Sequence, residues 1–141
     1  MKNCPLCRIV RGEATVARLY EDDLLLAFLH HAPVNPGHAL LIPKTHCFSV
    51  TAVPADTLGA MLRVAPRLAQ ALTRAVGGDG FNLHLANGDC AGQALPHTHL
   101  HIIPRLVTDG FAWGWRCLDR DPAREAEIAA TVRRRLEVPE A

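Results

Sequence analysis

The sequence predicts an α+β fold, in which a mostly antiparallel five-stranded sheet packs against helices. Five short segments have the residue pattern of β-strands, and consecutive strands are mostly joined without a crossover helix. A length of 141 residues with 49% hydrophobic content suits one globular domain with a sizeable core. We therefore expect a single domain over residues 1–141, with a core at about 4–106 and a C-terminal extension whose helix spans about 121–137.

The first three strands are predicted in the N-terminal third of the chain. Residues 16–21 and 24–30 are separated by the turn-forming pair Asp22-Asp23. A loop rich in proline then precedes the apolar strand 39–42, which Pro43 is expected to end.

A long amphipathic helix is predicted over residues 54–76, because apolar residues recur there at steps of three and four. Pro66 should kink this helix, since proline removes one hydrogen bond and clashes with the preceding turn. Two more strands are predicted at 81–86 and within 95–104. Asp121 is a suitable cap for the last helix.

Charge and hydropathy exclude several classes of partner. A net charge of +1, from 15 basic and 14 acidic residues, gives no electrostatic footprint for nucleic acid. No apolar run approaches the roughly 20 residues that a membrane-spanning helix needs, and the N-terminus lacks the apolar core of a signal peptide. Five cysteines, an odd number, suit reduced thiols. We expect a cytoplasmic protein without nucleic-acid or membrane partners.

The most informative feature of the chain is the alternation of His97, His99 and His101 within residues 95–104. In an extended strand, alternate side chains share one face. Three imidazoles on one face are poor core residues, but they can handle a phosphate, a proton or a metal.

Two enzymatic interpretations of these histidines differ in chemistry. A neutral imidazole is a good nucleophile toward phosphorus, and the phosphoramidate that it forms is labile enough for later hydrolysis. The alternative is a catalytic zinc held by all three rings. Strand geometry weighs against it, because the outer histidines would lie about 13 Å apart along the strand, whereas zinc–nitrogen bonds of about 2.0–2.1 Å require the rings to converge.

The pattern resembles the histidine triad (HIT) family, whose signature is His-x-His-x-His followed by two apolar residues. Other blocks match in the family's order and spacing, from Cys4 to Arg105. They are Glu21-Asp22-Asp23, Leu26-Ala27-Phe28-Leu29, residues 33–38, residues 41–46, Asn87-Gly88, Gly92-Gln93 and residues 102–105. The resemblance, closest to the bacterial nucleotide hydrolase and phosphoramidase branch, implies the same α+β architecture, usually as a homodimer.

The resemblance also implies roles for particular residues. It assigns the nucleophile to the middle histidine, His99, with His101 on the phosphate and leaving group and His97 as the third catalytic histidine. His38 matches a family histidine that lies behind the triad and orients the nucleophile. The positions that would contact phosphate are Asn87, Gly92 and Gln93.

The implied nucleotide site departs from the family pattern at two positions. Relatives in the phosphoramidase branch carry a phosphate-binding serine where this chain has Ala94, and loss of one well-placed donor can cost roughly 10²–10³ in rate. Relatives often bind the ribose with an aspartate where this chain has His30, which could still hydrogen-bond the sugar. The resemblance implies that the walls of the base pocket are Leu6, Ile9, Phe28 and Leu40.

A metal site is predicted near the N-terminus. Cys4 and Cys7 form a C-x-x-C pair, which suggests zinc, a redox pair or two buried thiols. There is no second such pair, so a metal must take histidines as its other ligands. In bacterial relatives with this pair, the resemblance implies zinc held by residues matching Cys4, Cys7, His46 and His97. A closed Cys₂His₂ shell is typical of a structural site.

These observations predict a nucleotide hydrolase or transferase that forms a nucleotidyl-histidine intermediate. Its substrate would be a nucleoside monophosphate bonded to another group through phosphorus, of the phosphoramidate or dinucleoside polyphosphate type. The expected partner is a purine nucleotide or nucleotide conjugate. The alternative is a nucleotide-binding regulatory protein with little or no turnover. We also expect a homodimer, because the long amphipathic helix would otherwise expose apolar surface and twofold symmetry is the commonest way to cover it.

Overall fold

A computed structural model describes residues 3–112, 114, 117 and 119–137. The chain divides into two compact units, one ending at Phe111 and the other beginning at Ala112. The first unit contains the predicted sheet, and the second contains the C-terminal helix. The expectation of one domain over residues 1–141 stays a prediction.

The first unit is built on a five-stranded sheet in which all neighbouring strands are antiparallel. The strand order is β1-β2-β3-β5-β4. The strands are β1 (Arg18–Glu21), β2 (Leu25–Leu29), β3 (Ala39–Pro43), β4 (Gly80–His84) and β5 (Leu100–Arg105). This topology confirms the predicted fold class. Between β1 and β2, the Asp22 carboxylate accepts hydrogen bonds from the backbone of Leu24 and Leu25, as expected for a turn.

The described residues also form three α-helices: α1 (Pro5–Val10) and α2 (Ala55–Ala75) in the first unit, and α3 (Pro122–Glu137) in the second. Helix α2 matches the predicted helix closely and continues through Pro66. Helix α1 was missed, although a proline at its first position is a common start signal. At the start of α3, the backbone N–H groups of Ala123 and Arg124 donate to the Asp121 carboxylate, so the predicted cap is confirmed. None of the described helices is both long and apolar enough to span a membrane.

The two faces of the sheet have different partners. Leu41, Leu100 and Ile102 belong to the cluster that α2 covers, together with buried residues such as Met61. On the opposite face, alternate residues of β2 and β3 pack against α1 and its N-cap residue. The strand residues are Leu26, Phe28, Leu40 and Ile42, and the residues from α1 and its N-cap are Cys4, Leu6 and Cys7. His101 lies on this second face, because it pairs with Leu40 across the sheet.

The structure corrects one detail of the sequence prediction. Strand β5 begins only at Leu100, so His101 lies in it while His97 and His99 precede it. Proline at position 96 cannot donate to a strand ladder, and the His97 N–H instead bonds the Leu95 carbonyl at 2.8 Å in a tight turn. The three imidazoles therefore do not form one row along a strand.

Candidate active site and metal centre

The His99 ring has a defined proton position. Its Nδ1 lies 2.7 Å from the backbone carbonyl oxygen of His97. Because a carbonyl oxygen only accepts, Nδ1 must carry the proton, and the neutral ring keeps its lone pair on Nε2. His99 is 5% exposed, so burial and this bond hold the ring in place. The predicted nucleophile is thus held in the tautomer in which Nε2 is free to react.

His101 has the opposite tautomer, and His38 determines it. The Val34 N–H donates to His38 Nδ1 at 3.1 Å, so the proton of neutral His38 is on Nε2. That Nε2 lies 2.9 Å from His101 Nδ1 and donates to it. His101 consequently carries its proton on Nε2. His38 thus lies behind the triad as expected, but its hydrogen bond is to His101 rather than to the expected nucleophile His99.

Both histidines of this pair are neutral near pH 7. Burial lowers the pKa of His38 to about 4, and the charges of His30 and Arg105 act in the same direction. Burial also lowers the pKa of His101 to about 4, with further contributions from neighbouring imidazoles. A neutral His101 donates from Nε2 at any pH well above 4.

We expect this arrangement to be visible by long-range ¹H–¹⁵N NMR of the imidazoles. His99 should show the Nδ1–H tautomer, and His38 and His101 the Nε2–H tautomer. On acidification, His38 and His101 should stay neutral until about pH 4. Since unfolded histidine titrates near 6.5, the unfolded state binds more protons between pH 6.5 and about 4, and stability should fall as the pH drops through this window. Titration of either ring above pH 6 would contradict the assignment.

Further imidazoles surround His101. The ring centroids of His99, His30 and His84 lie 5.0, 5.9 and 5.9 Å from that of His101. His30 stacks on His38, with centroids 4.6 Å apart and planes within 6°. The structure therefore places the expected ribose residue His30 beside the triad. Sequence analysis did not identify His84 as a site residue, because only the pairing of β4 with β5 brings it beside His101.

The loop before the triad is closed by two side-chain amides. Asn87 Oδ1 accepts from the Val50 N–H at 2.8 Å, while its Nδ2 has no acceptor among the described residues. Gln93 is 7% exposed and uses both ends of its amide: Oε1 accepts from Gly88 N–H, and Nε2 donates to the Phe48 carbonyl. Asn87 thus retains a donor that a phosphate could use, whereas Gln93 holds the loop together.

Gly92 ends the short 3₁₀ turn of this loop with φ of 85°, a left-handed conformation that favours glycine. The apolar residues expected to wall a base pocket are mostly interior. Leu6, Phe28 and Leu40 are only 2–3% exposed, and partly buried Ile9 packs against them. They form a core layer beneath the site, and their role toward a base stays a prediction.

The four residues expected to hold zinc converge. The ligand atoms of Cys4, Cys7, His46 and His97 all lie within 4.8 Å of one another. His97 Nδ1 is 3.6 Å from each cysteine Sγ, and His46 Nδ1 is 3.2 Å from Cys7 Sγ. A tetrahedral zinc with typical bond lengths separates sulfur and nitrogen ligands by about 3.6 Å. The four residues therefore fit a zinc ion.

The tautomer of His97 also suits a metal. Its Nε2 lies 2.9 Å from the Pro43 carbonyl and donates to it, so Nδ1 carries the lone pair that faces the cysteines. Cys4 is the N-cap residue of α1 and Cys7 lies in its first turn. The short helix thereby brings both thiols to one point.

Comparison with known proteins agrees with this geometry. The model of the HIT domain family matches residues 11–107. The chain is 38% identical over 138 residues to adenylylsulfatase HINT3 of Arabidopsis thaliana, covering 95% of this chain and 70% of that protein. It is 36% identical over 114 residues to adenosine 5′-monophosphoramidase hnt1 of Schizosaccharomyces pombe, covering 80% and 83% of the two chains.

A solved structure shares the fold of this chain. The crystal structure of a Zn-bound histidine triad family protein from Mycobacterium smegmatis superposes with a TM-score of 0.75 at 33% identity, covering 92% of this chain and 98% of that one. The fold and much of the sequence are therefore shared with proteins of one family. With two thirds of its length matched by the family model and relatives above 30% identity along most of the chain, this protein belongs to the HIT domain family.

Proposed function

We propose that the protein is a nucleotide hydrolase that cleaves a phosphorus-linked group X from a nucleoside monophosphate through a nucleotidyl-His99 intermediate. The observation that carries this proposal is the pair of opposite tautomers. His99 has a free lone pair on Nε2, and the adjacent His101 has a proton on Nε2, with ring centroids 5.0 Å apart. One ring can attack phosphorus while the other donates a hydrogen bond to an oxygen or to the leaving atom.

The first step forms a bond between His99 Nε2 and phosphorus. The bond from phosphorus to X breaks, and its electron pair leaves with X; an acidic group departs as an anion, whereas an amine takes up a proton from solvent as it departs. The attached imidazole becomes positively charged, and the His97 carbonyl, which accepts from Nδ1–H at 2.7 Å, stabilises that charge. His101 Nε2–H and the free Nδ2 donor of Asn87 are available to the phosphate oxygens and to X.

The second step releases the nucleotide. Water attacks phosphorus, the phosphorus–nitrogen bond breaks, and its electron pair returns to His99 Nε2. The proton lost by water is taken up by X or by solvent, so both histidines end in their starting tautomers. Two displacements at phosphorus are therefore required for each turnover.

A burst experiment tests this proposal. Mixing the protein with excess adenylyl sulfate or an adenosine phosphoramidate should release about one equivalent of leaving group per site before steady state. Denaturation during turnover should trap a nucleotide on His99. The stereochemistry at phosphorus is an independent check, because two displacements retain configuration and one inverts it. Reversible binding with no release would instead indicate a nucleotide-binding regulatory protein.

We further infer that Cys4, Cys7, His46 and His97 hold a structural zinc. The supporting observations are the convergence of four ligand atoms and the lone-pair direction of His97. Four protein ligands leave no open coordination position. Zinc bound there would cross-link the N-terminal segment to the loops that precede β5 and follow β3.

The homodimer, the purine preference and the cytoplasmic location stay predictions. The edge strand β4 exposes Phe81 and Leu83, each 40% exposed, and α2 exposes Leu62 at 58%. A second copy of the chain would be one way to cover these apolar side chains.

A further inference from the structure

His84 is a histidine of the site that the mechanism above does not use. It is the last residue of β4 and pairs directly with His101 across the sheet. Residues paired in this way point to the same face, and the ring centroids are 5.9 Å apart. His84 is exposed, whereas His101 is half-buried. His84 thus lies on the solvent-exposed side of the His101 imidazole.

The orientation of His101 determines which of its neighbours meets the leaving group. Strand β5 lies between β3 and β4. His101 Nδ1 is bonded to His38, which immediately precedes β3. The two nitrogens of an imidazole point in roughly opposite directions, so the Nε2–H donor is directed away from the β3 side. His84 is the histidine on the other side, next to β4.

Among the described residues, no carboxylate forms a salt bridge with the imidazoles around His101. Within the described ranges, every salt bridge joins a carboxylate to an arginine or lysine, and none involves a histidine. His84 also makes no hydrogen bond to another described residue, so its ring is not committed to holding the fold together. The His84 ring is therefore free to donate a hydrogen bond to an anion supplied by a ligand.

We propose that His84 is a specificity residue that binds a negatively charged leaving group, such as sulfate or phosphate joined to the nucleoside monophosphate through an anhydride bond. The proposal rests on the proposed function, because it assigns the leaving group to the side of His101 where Nε2–H points. An uncharged amine leaving group offers no such anion. The ratio of kcat/KM for a mixed anhydride to kcat/KM for a phosphoramidate should consequently be higher with His84 present than without it.

The test compares two substrates that share the same adenylyl group. His84→Asn should lower kcat/KM about tenfold for adenylyl sulfate, the effect of losing one charge-assisted contact. For adenosine 5′-phosphoramidate the change should be less than twofold. His31→Asn is the matched control, because His31 is also an exposed imidazole of the cluster but contacts His30 rather than His101. This control should leave the ratio of the two kcat/KM values unchanged.

Equal losses on both substrates, or no loss on either, would overturn the proposal. A binding measurement keeps it testable if the wild-type protein shows no turnover. The affinity for α,β-methylene ADP, which carries an uncleavable anionic group at the leaving position, is compared with that for AMP. His84→Asn should reduce this preference about tenfold, and an unchanged preference would refute the role of His84. Absence of wild-type turnover and adduct would refute only the proposed function.

Discussion

His99→Ala is expected to lower turnover of an adenosine phosphoramidate or a dinucleoside polyphosphate by about 10⁴-fold or more, as is common when a covalent nucleophile is removed. Nucleotide affinity should change little. The bond between His99 and phosphorus exists only on the reaction path, so its loss affects the chemical step rather than the ground-state complex. Steady-state kinetics together with equilibrium titration of AMP separate the two effects. A variant that keeps more than a few per cent of wild-type turnover would end the assignment of His99 as the nucleophile.

His101→Ala provides the internal comparison. The loss should be smaller when the leaving group is acidic, because such a group departs without needing a hydrogen-bond donor. With an amine leaving group, the loss should approach that of His99→Ala. A mechanism centred on a catalytic metal predicts a different order: His97, His99 and His101 would be about equally sensitive, and chelation would abolish activity.

Cys7→Ser is expected to release zinc and to cause the largest loss of stability among single cysteine substitutions. Structural zinc contributes folding free energy directly, and the short helix α1 depends on the cluster for its position. We expect about one zinc per wild-type chain and none in the variant, with a fall in Tm of about 10 °C or more, equivalent to several kcal/mol. Elemental analysis and thermal unfolding measure both quantities.

Cys90→Ser is the matched control for the zinc prediction. Cys90 is an exposed free cysteine outside the cluster, so its replacement should leave zinc content and Tm unchanged. Chelation should lower the Tm of the wild type to that of Cys7→Ser but have no effect on the variant itself. Wild-type protein prepared without chelator that contains no zinc would remove the claim.

The fold was predictable because its elements have strong local signals. β2 and β3 are short apolar runs ended by turn residues, and the long periodicity of α2 identifies a helix without reference to its surroundings. Helix α1, with only six residues, is too short to show a period, since isolated helices of that length are unstable without tertiary packing. Its existence depends on the cluster around Cys4 and Cys7, which a local pattern does not reveal.

The sequence indicated most of the residues that lie together in the candidate site, but not the contacts between them. The ligand set at Cys4, Cys7, His46 and His97 comes together as the family resemblance implied. The partner of His38 was different, because a hydrogen bond between residues 63 positions apart depends on how β3 and β5 pair. His84 was missed for the same reason, since only strand pairing brings it beside His101.

The position of His97 has a consequence for protein engineering. Its ring Nδ1 faces the Cys4 and Cys7 thiols, while its backbone carbonyl accepts a hydrogen bond from His99 Nδ1–H. The side chain and the peptide group of one residue thus make separate contacts, and only the side chain faces the proposed zinc site. Replacing Cys4, Cys7, His46 and the His97 side chain with apolar residues should therefore leave His99 able to act as a nucleophile. The condition is that the new core keeps the carbonyl of residue 97 directed at His99 Nδ1–H.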